Sequence, residues 1–239
     1  MRSYFIWNGQ DSRNFGIYLQ HAPEIIRAQE RVTQLTVYGR AGDLIIPSGD
    51  AVYDSYPLTM TVTIKGVDNV RRVWQWLRGD GRLTLPSTPN MEQDARVINS
   101  ITLQRVSRNL DAWQGEVTFW CQPLRRPIHE RAESITSGAY IVNDGDIPAK
   151  PKIILTGTGD LSVTINGTST LTVFEVTAAQ EGAVIDSDAE EVTPKVRSIL
   201  GSGLITSQAV GEFPILPVGR SLITFTASSC EIVKGVRFL

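Results

Sequence analysis

Long stretches of this chain alternate apolar and polar side chains with a period of two and are rich in Val, Ile and Thr. Residues 31–38, 58–65, 95–105, 115–121, 152–157, 161–166, 170–176 and 221–227 all read this way. Successive side chains of a strand point to opposite faces, so alternation means one face buried and one face wet. The chain is therefore expected to be mainly β. One stretch breaks the period: Val70, Val73, Trp74 and Leu77 recur at three- and four-residue spacing. Asp68 can cap the amides of a first turn there, and Gly79 suits the left-handed residue that ends a helix. This predicts a single amphipathic helix over about residues 68–78, packed on a sheet.

A boundary is expected near residues 122–137. The strand ending at Cys121 meets Pro123 and Pro127, which lack ladder amides and should stop it, and a polar stretch, 129–134, follows. Residues 1–128 carry 15 basic and 12 acidic residues, a net of +3, whereas 129–239 carry 8 and 13, a net of −5. All five tryptophans fall in the first part. The expected organisation is thus an N-terminal β domain over 1–128, a linker over 129–137 and a second β domain over 138–239. Asn166-Gly167 supplies the positive backbone angles of a tight hairpin, and repeated short strands joined by such turns favour a sandwich of two antiparallel sheets.

Several function classes find no support. Over 239 residues the formal net charge is −2, without the basic excess that phosphate backbones demand, so no sequence-specific nucleic-acid binding is expected. No apolar run approaches the ~20 residues of a membrane-spanning helix, and the first ten residues do not read as a secretion signal. Cys121 and Cys230 are far apart, which favours two buried free thiols over a disulfide or a thiolate metal site. His21 and His129 stand beside no candidate nucleophile, so catalytic residues are expected to be none and the chain is not expected to be an enzyme. The pairs Asp144/Asp146 and Asp186/Asp188 lack the ligand count of a calcium loop, and no phosphate loop or zinc motif occurs; metal and cofactor residues are expected to be none. Residues 129–239 also lack the tryptophan on which a galactose ring would stack.

A series of short strings, in order along nearly the whole chain, resembles the distal tail protein of long flexible-tailed (siphovirus) bacteriophages and their prophages. Phe5-Ile6-Trp7-Asn8-Gly9 with Phe15-Gly16-Ile17 is similar to its start, and Val37-Tyr38-Gly39-Arg40-Ala41-Gly42-Asp43-Leu44 to its Gly-Arg loop. Trp76 to Gly81, Phe119 to Pro123, Val142 to Asp146, Ala149-Lys150-Pro151, Ile185-Asp186-Ser187, Gly211 to Pro214 and Pro217-Val218-Gly219 follow in sequence. The family commonly has asparagine after that last glycine, where this chain has Arg220. The resemblance implies an N-terminal split-barrel domain that closes a ring, usually a hexamer, and a C-terminal galectin-like β-sandwich. It also implies a structural hub at the virion tail tip, made in the host cytoplasm, joining the tail tube to the tail-associated baseplate protein near the tape measure protein.

The residues themselves suggest where a ring contact would lie. Between residues 39 and 57 the apolar run Leu44-Ile45-Ile46, the turn Pro47-Ser48-Gly49-Asp50 and then Ala51-Val52-Tyr53 read as a hairpin arm. Its edge would be an aggregation hazard in a monomer, yet would be covered against a neighbouring subunit. Arg40, in a tight glycine-flanked loop expected at the arm's base, would pair with a carboxylate across that contact. The candidate oligomer-interface residues are therefore Arg40, Leu44, Ile45, Ile46, Val52 and Tyr53. The first part also holds 14 arginines against one lysine, Lys65, a choice suited to interfaces. The alternatives are a carbohydrate-binding host-adhesion module and a glycoside hydrolase, the latter supported only by the presence of acidic residues.

Overall fold

The computed structural model describes residues 4–49, 52–188 and 193–239. The chain divides into two compact units, residues 1–128 with Leu239, and residues 129–238. The first contains β1 (Ile6–Trp7), β2 (Gln10–Asp11), β3 (Ile17–Leu19), β4 (Val32–Leu35), β5 (Leu44–Pro47), β6 (Tyr56–Lys65), α1 (Val67–Trp76), β7 (Asp80–Thr84), β8 (Met91–Val97), β9 (Leu103–Ser107) and β10 (Leu110–Pro127). Eight of these strands form one antiparallel sheet in the order β2-β1-β7-β8-β10-β6-β3, with β9 also on β10, curled as a split barrel. Strands β4 and β5 pair only with each other.

The sheet is built on β6, where Tyr56, Leu58, Met60, Val62 and Ile64 point inward and Pro57, Thr59, Thr61 and Thr63 alternate with them. Its partner β10 runs opposite from Ala112↔Lys65 to Cys121↔Tyr56 and turns Val117, Phe119 and Cys121 into the same core. Two expectations need correction here. Residues 95–105 are two strands, because β8 and β9 share one flank of β10 in succession and the chain must step between them. Asn99 fills that step, accepting from the Thr118 amide at 2.8 Å and donating to the Glu116 carbonyl at 2.9 Å. The prolines do not stop β10 either: Pro123 falls where the register shifts between Cys121 and Arg125, and the strand resumes against β8 to Pro127↔Met91. Beyond Cys121 β6 no longer pairs with β10, so the strand has one neighbour and fewer amides to satisfy.

The helix also departs in detail from its expected form. It ends at Trp76, with Leu77 donating to the Val73 carbonyl, and Gly66, at φ 86, occupies the N-cap with no side-chain bond. Asp68 sits inside the first turn, where its charge complements the helix dipole, and Asn69 closes the turn by donating to the Lys65 carbonyl at 2.7 Å. Val73 and Leu77 are buried, but Trp74 is 52% exposed. Trp76 takes the core position instead, stacked between Phe15 (ring centroids 4.2 Å apart) and Phe5 (5.7 Å). Phe5 continues the aromatic contact to Phe119, which meets Trp7 at 5.1 Å.

The second unit contains β11 (Glu133–Ile135), β12 (Ala139–Asn143), β13 (Lys152–Thr156), β14 (Gly159–Ile165), β15 (Ser169–Val176), β16 (Gly182–Asp186), β17 (Lys195–Ser198), β18 (Ala209–Gly211), β19 (Gly219–Phe225) and β20 (Ser229–Val233). They form two five-stranded antiparallel sheets, β11-β20-β13-β16-β17 and β12-β19-β14-β15-β18. Ile153, Leu155, Ile185 and Ile232 of the first and Leu161, Val163, Val173 and Ile223 of the second share one core, which makes this unit a β-sandwich. Asn166 and Gly167 have φ 50 and 71, as the hairpin between β14 and β15 requires. The segment expected as a linker, 129–137, contains β11: Ile135 packs on the core and Glu133 pairs with Lys234 at 3.0 Å.

Two measurements follow from this packing. Replacing Trp76 by Ala should cost about 3–5 kcal/mol in denaturant unfolding, whereas Trp74→Ala should stay within about 0.5 kcal/mol. Cys121 and Cys230 are buried and free, and burial pushes both thiols from 9.0 up to about 12. Neither should react with a thiol reagent until the protein is denatured. Because their folded pKa values are raised, their contribution to stability is intact below pH 9.0 and is lost toward about 12, as the unfolded chain ionises first. Replacing both by Ala should flatten the loss of stability across that window.

Candidate functional site

The chain leaves the core of the first unit after Ala28 and returns to it at Tyr53. Between them β4 and β5 form a hairpin with pairs Val32↔Pro47, Thr33↔Ile46, Gln34↔Ile45 and Leu35↔Leu44. The chain reverses across residues 36–43, where Thr36 donates to Asp43 at 2.9 Å, the Arg40 amide donates to the Val37 carbonyl, and Gly39 and Gly42 adopt φ 79 and 82. At the base, Glu30 bridges to Tyr53, the Arg31 amide donates to the Val52 carbonyl, and the Arg31 guanidinium meets Asp54 at 2.7 Å.

This geometry redistributes the candidate residues. The hairpin was expected across residues 39–57, reversing at Pro47–Asp50 with Arg40 near the base. Instead the positive-φ glycines set the reversal at 36–43, and Arg40 lies exposed at the tip. Val52 and Tyr53 are half-buried at the base, with Tyr53 packed on the core. Asp50 and Ala51 lie outside the described residues. Leu44 is half-buried within β5, and Ile45 and Ile46 are 59% and 43% exposed. Period-two geometry sends Ile45 and Ile46 to opposite faces of the hairpin, so neither face is covered by the chain's own core.

Sequence reasoning missed Leu35, Val37 and Tyr38, all exposed, Tyr38 completely. In the sequence their alternation reads as a strand with one face buried, and the glycine pair just beyond them, Gly39 and Gly42, is the signal that marks the reversal. A two-stranded hairpin standing alone is marginal in water. What the arm offers chemically is unpaired backbone edges, apolar side chains on both faces and an Arg and a Tyr at its tip, which are residues of association. His21 and His129 are exposed, and among the described residues no three His, Cys, Asp or Glu side chains gather as a metal site.

With the arm and both units defined, a known structure can be set beside them. The likeness is to a phage hub protein. The crystal structure of the Dit protein (gp 19.1) of phage SPP1, described as a paradigm of the hub adsorption apparatus in phages infecting Gram-positive bacteria, matches over 100% of both chains with a TM-score of 0.76. Sequence identity is 15%, so the shared property is the fold. No protein-family model and no curated protein matches the chain.

The arm's isolation has a direct readout. In hydrogen exchange on the dilute monomer, amides of β4 and β5 should exchange orders of magnitude faster than those of β6 and β10, which lie inside the sheet. Equal protection would mean that the arm is held by its own unit.

Proposed function

We propose that this chain is a structural hub of a siphovirus or prophage tail tip, a distal tail protein whose copies close into a ring, usually a hexamer. The observation that carries this reading is the end-to-end likeness to a phage hub protein, which spans both units at once. A likeness confined to the sandwich would favour a free-standing binding module, since that architecture serves many functions. The ring would join the tail tube to the tail-associated baseplate protein near the tape measure protein, through the first unit, and the second unit would be galectin-like.

The arm supports the ring. Its apolar residues on two faces and its unpaired edges are satisfied by a neighbouring copy, and a head-to-tail contact repeated by rotation closes on itself. In this reading Leu44, Ile45 and Ile46 line the contact, Arg40 at the tip pairs with a carboxylate of the neighbour, and Val52 and Tyr53 anchor the arm to its own unit. The protein would be made in the bacterial cytoplasm and reside in the virion.

Negative-stain microscopy of the purified protein should show closed rings with an axial hole. The double variant Ile45→Asp/Ile46→Asp should give a folded monomer in light scattering with an unchanged unfolding midpoint. A monomeric parent protein, or a ring that survives both substitutions, would sink this assignment.

A further inference from the structure

The exposed side of α1 carries a feature that neither the fold nor the arm uses. Arg71, Trp74 and Gln75 lie at i, i+3 and i+4 on the helix, and Arg78 follows just beyond its end; all four are exposed. Trp76 already supplies the aromatic contact of the core, so Trp74 is not needed to pack the helix. Arg72, on the adjoining line, is engaged with Asn69 and the Phe15 ring. Arg13, Arg31, Arg82, Arg96 and Arg126 each meet an Asp or Glu of the unit, whereas among the described residues Arg71 and Arg78, like Arg27, Arg40, Arg105 and Arg108, meet none; of these, Arg71 lies one helical turn from the exposed Trp74. The nearest acid along the helix is Asp68 in its first turn.

We propose that this stripe docks an acidic segment of a different protein, with carboxylates on Arg71 and Arg78 and an apolar side chain over the Trp74 indole. Three physical points select this occupant. Two guanidinium groups that meet no carboxylate among the described residues, one a turn before Trp74 and one just past the helix end, leave a positive excess that carboxylates neutralise with fork-matched hydrogen bonds. An exposed Trp between arginines has the composition of an interface centre, where a small number of such side chains carry most of the binding free energy. Neutralising about two phosphates would give only a shallow salt dependence and weak binding, so the stripe is too small for a duplex. The proposal does not rest on the hub assignment, since it uses the side chains of α1 alone.

The test is selection of a random dodecapeptide library on the immobilised full-length protein, followed by fluorescence anisotropy with the enriched peptides. The expected result is a class of acidic peptides carrying a Leu or an aromatic residue, whose affinity falls about tenfold or more in Arg71→Glu and in Trp74→Ala. It should fall likewise in roughly 0.5 M salt and stay unchanged in Arg108→Glu, an exposed arginine away from the helix. Circular dichroism and unfolding midpoints of the variants separate lost docking from lost fold. Enriched peptides that bind Arg71→Glu and Trp74→Ala as tightly as the parent overturn the proposal, as does the absence of any acidic class. A short DNA duplex bound with the same dependence on these residues would make the stripe a nucleic-acid contact. Self-association of the parent lost on Arg71→Glu would make it a face between copies.

Discussion

A strand with one buried face must repeat its side-chain chemistry every second residue, and the ladder between Tyr56–Lys65 and residues 112–121 meets that demand most strictly. Ten consecutive cross-strand pairs hold it, and a slip of β6 by one residue would turn Leu58, Met60, Val62 and Ile64 to the solvent together. The rest of the first unit hangs on this ladder. β3 adds to the far edge of β6, while β9 and then β8 follow one another along the far edge of β10, so the length of β10 decides how many strands the sheet can carry.

A second constraint fixes the segments that the ladder does not reach. The stack of Phe15 on Trp76 on Phe5, continued to Phe119 and Trp7, joins the opening segment, the helix and the central strand in one aromatic column. Such contacts add to area burial because ring quadrupoles favour offset and edge-on geometries. On another side of the same core, buried Arg125 is held by the Gln93 side chain, the Ile26 and Leu239 carbonyls and the Tyr56 hydroxyl. Its donors are spread over four separate segments, so hydrogen bonds offset the burial of the charge.

Against these two well-determined assemblies the β4–β5 arm stands out by what it lacks. Its strands satisfy each other and no third strand, and its isoleucines face opposite ways without cover. Among the described residues its base is tied to the unit through Tyr53 and the Arg31–Asp54 pair. Surface left open in this way releases the free energy of being covered on association and not on folding.

Alternation alone determined the class of the fold, the identity of the buried positions on β6, β10, β14 and β15, and the hairpin at Asn166-Gly167, because these depend on local geometry with a period the sequence displays. The arm was visible as an apolar run, but its reversal point was not, since Gly39 and Gly42 compete locally with the Pro47–Asp50 turn and pairing register is a property of two strands at once. The same holds for the step at Asn99 and the continuation of β10 past Pro123, each decided by which neighbour flanks the strand. Helical spacing favours Trp74, with Val70, Val73 and Leu77, for the core side of α1. Only the tertiary structure chose Trp76, because Phe5 and Phe15, distant in sequence, close around that side of the helix and leave Trp74 to the solvent.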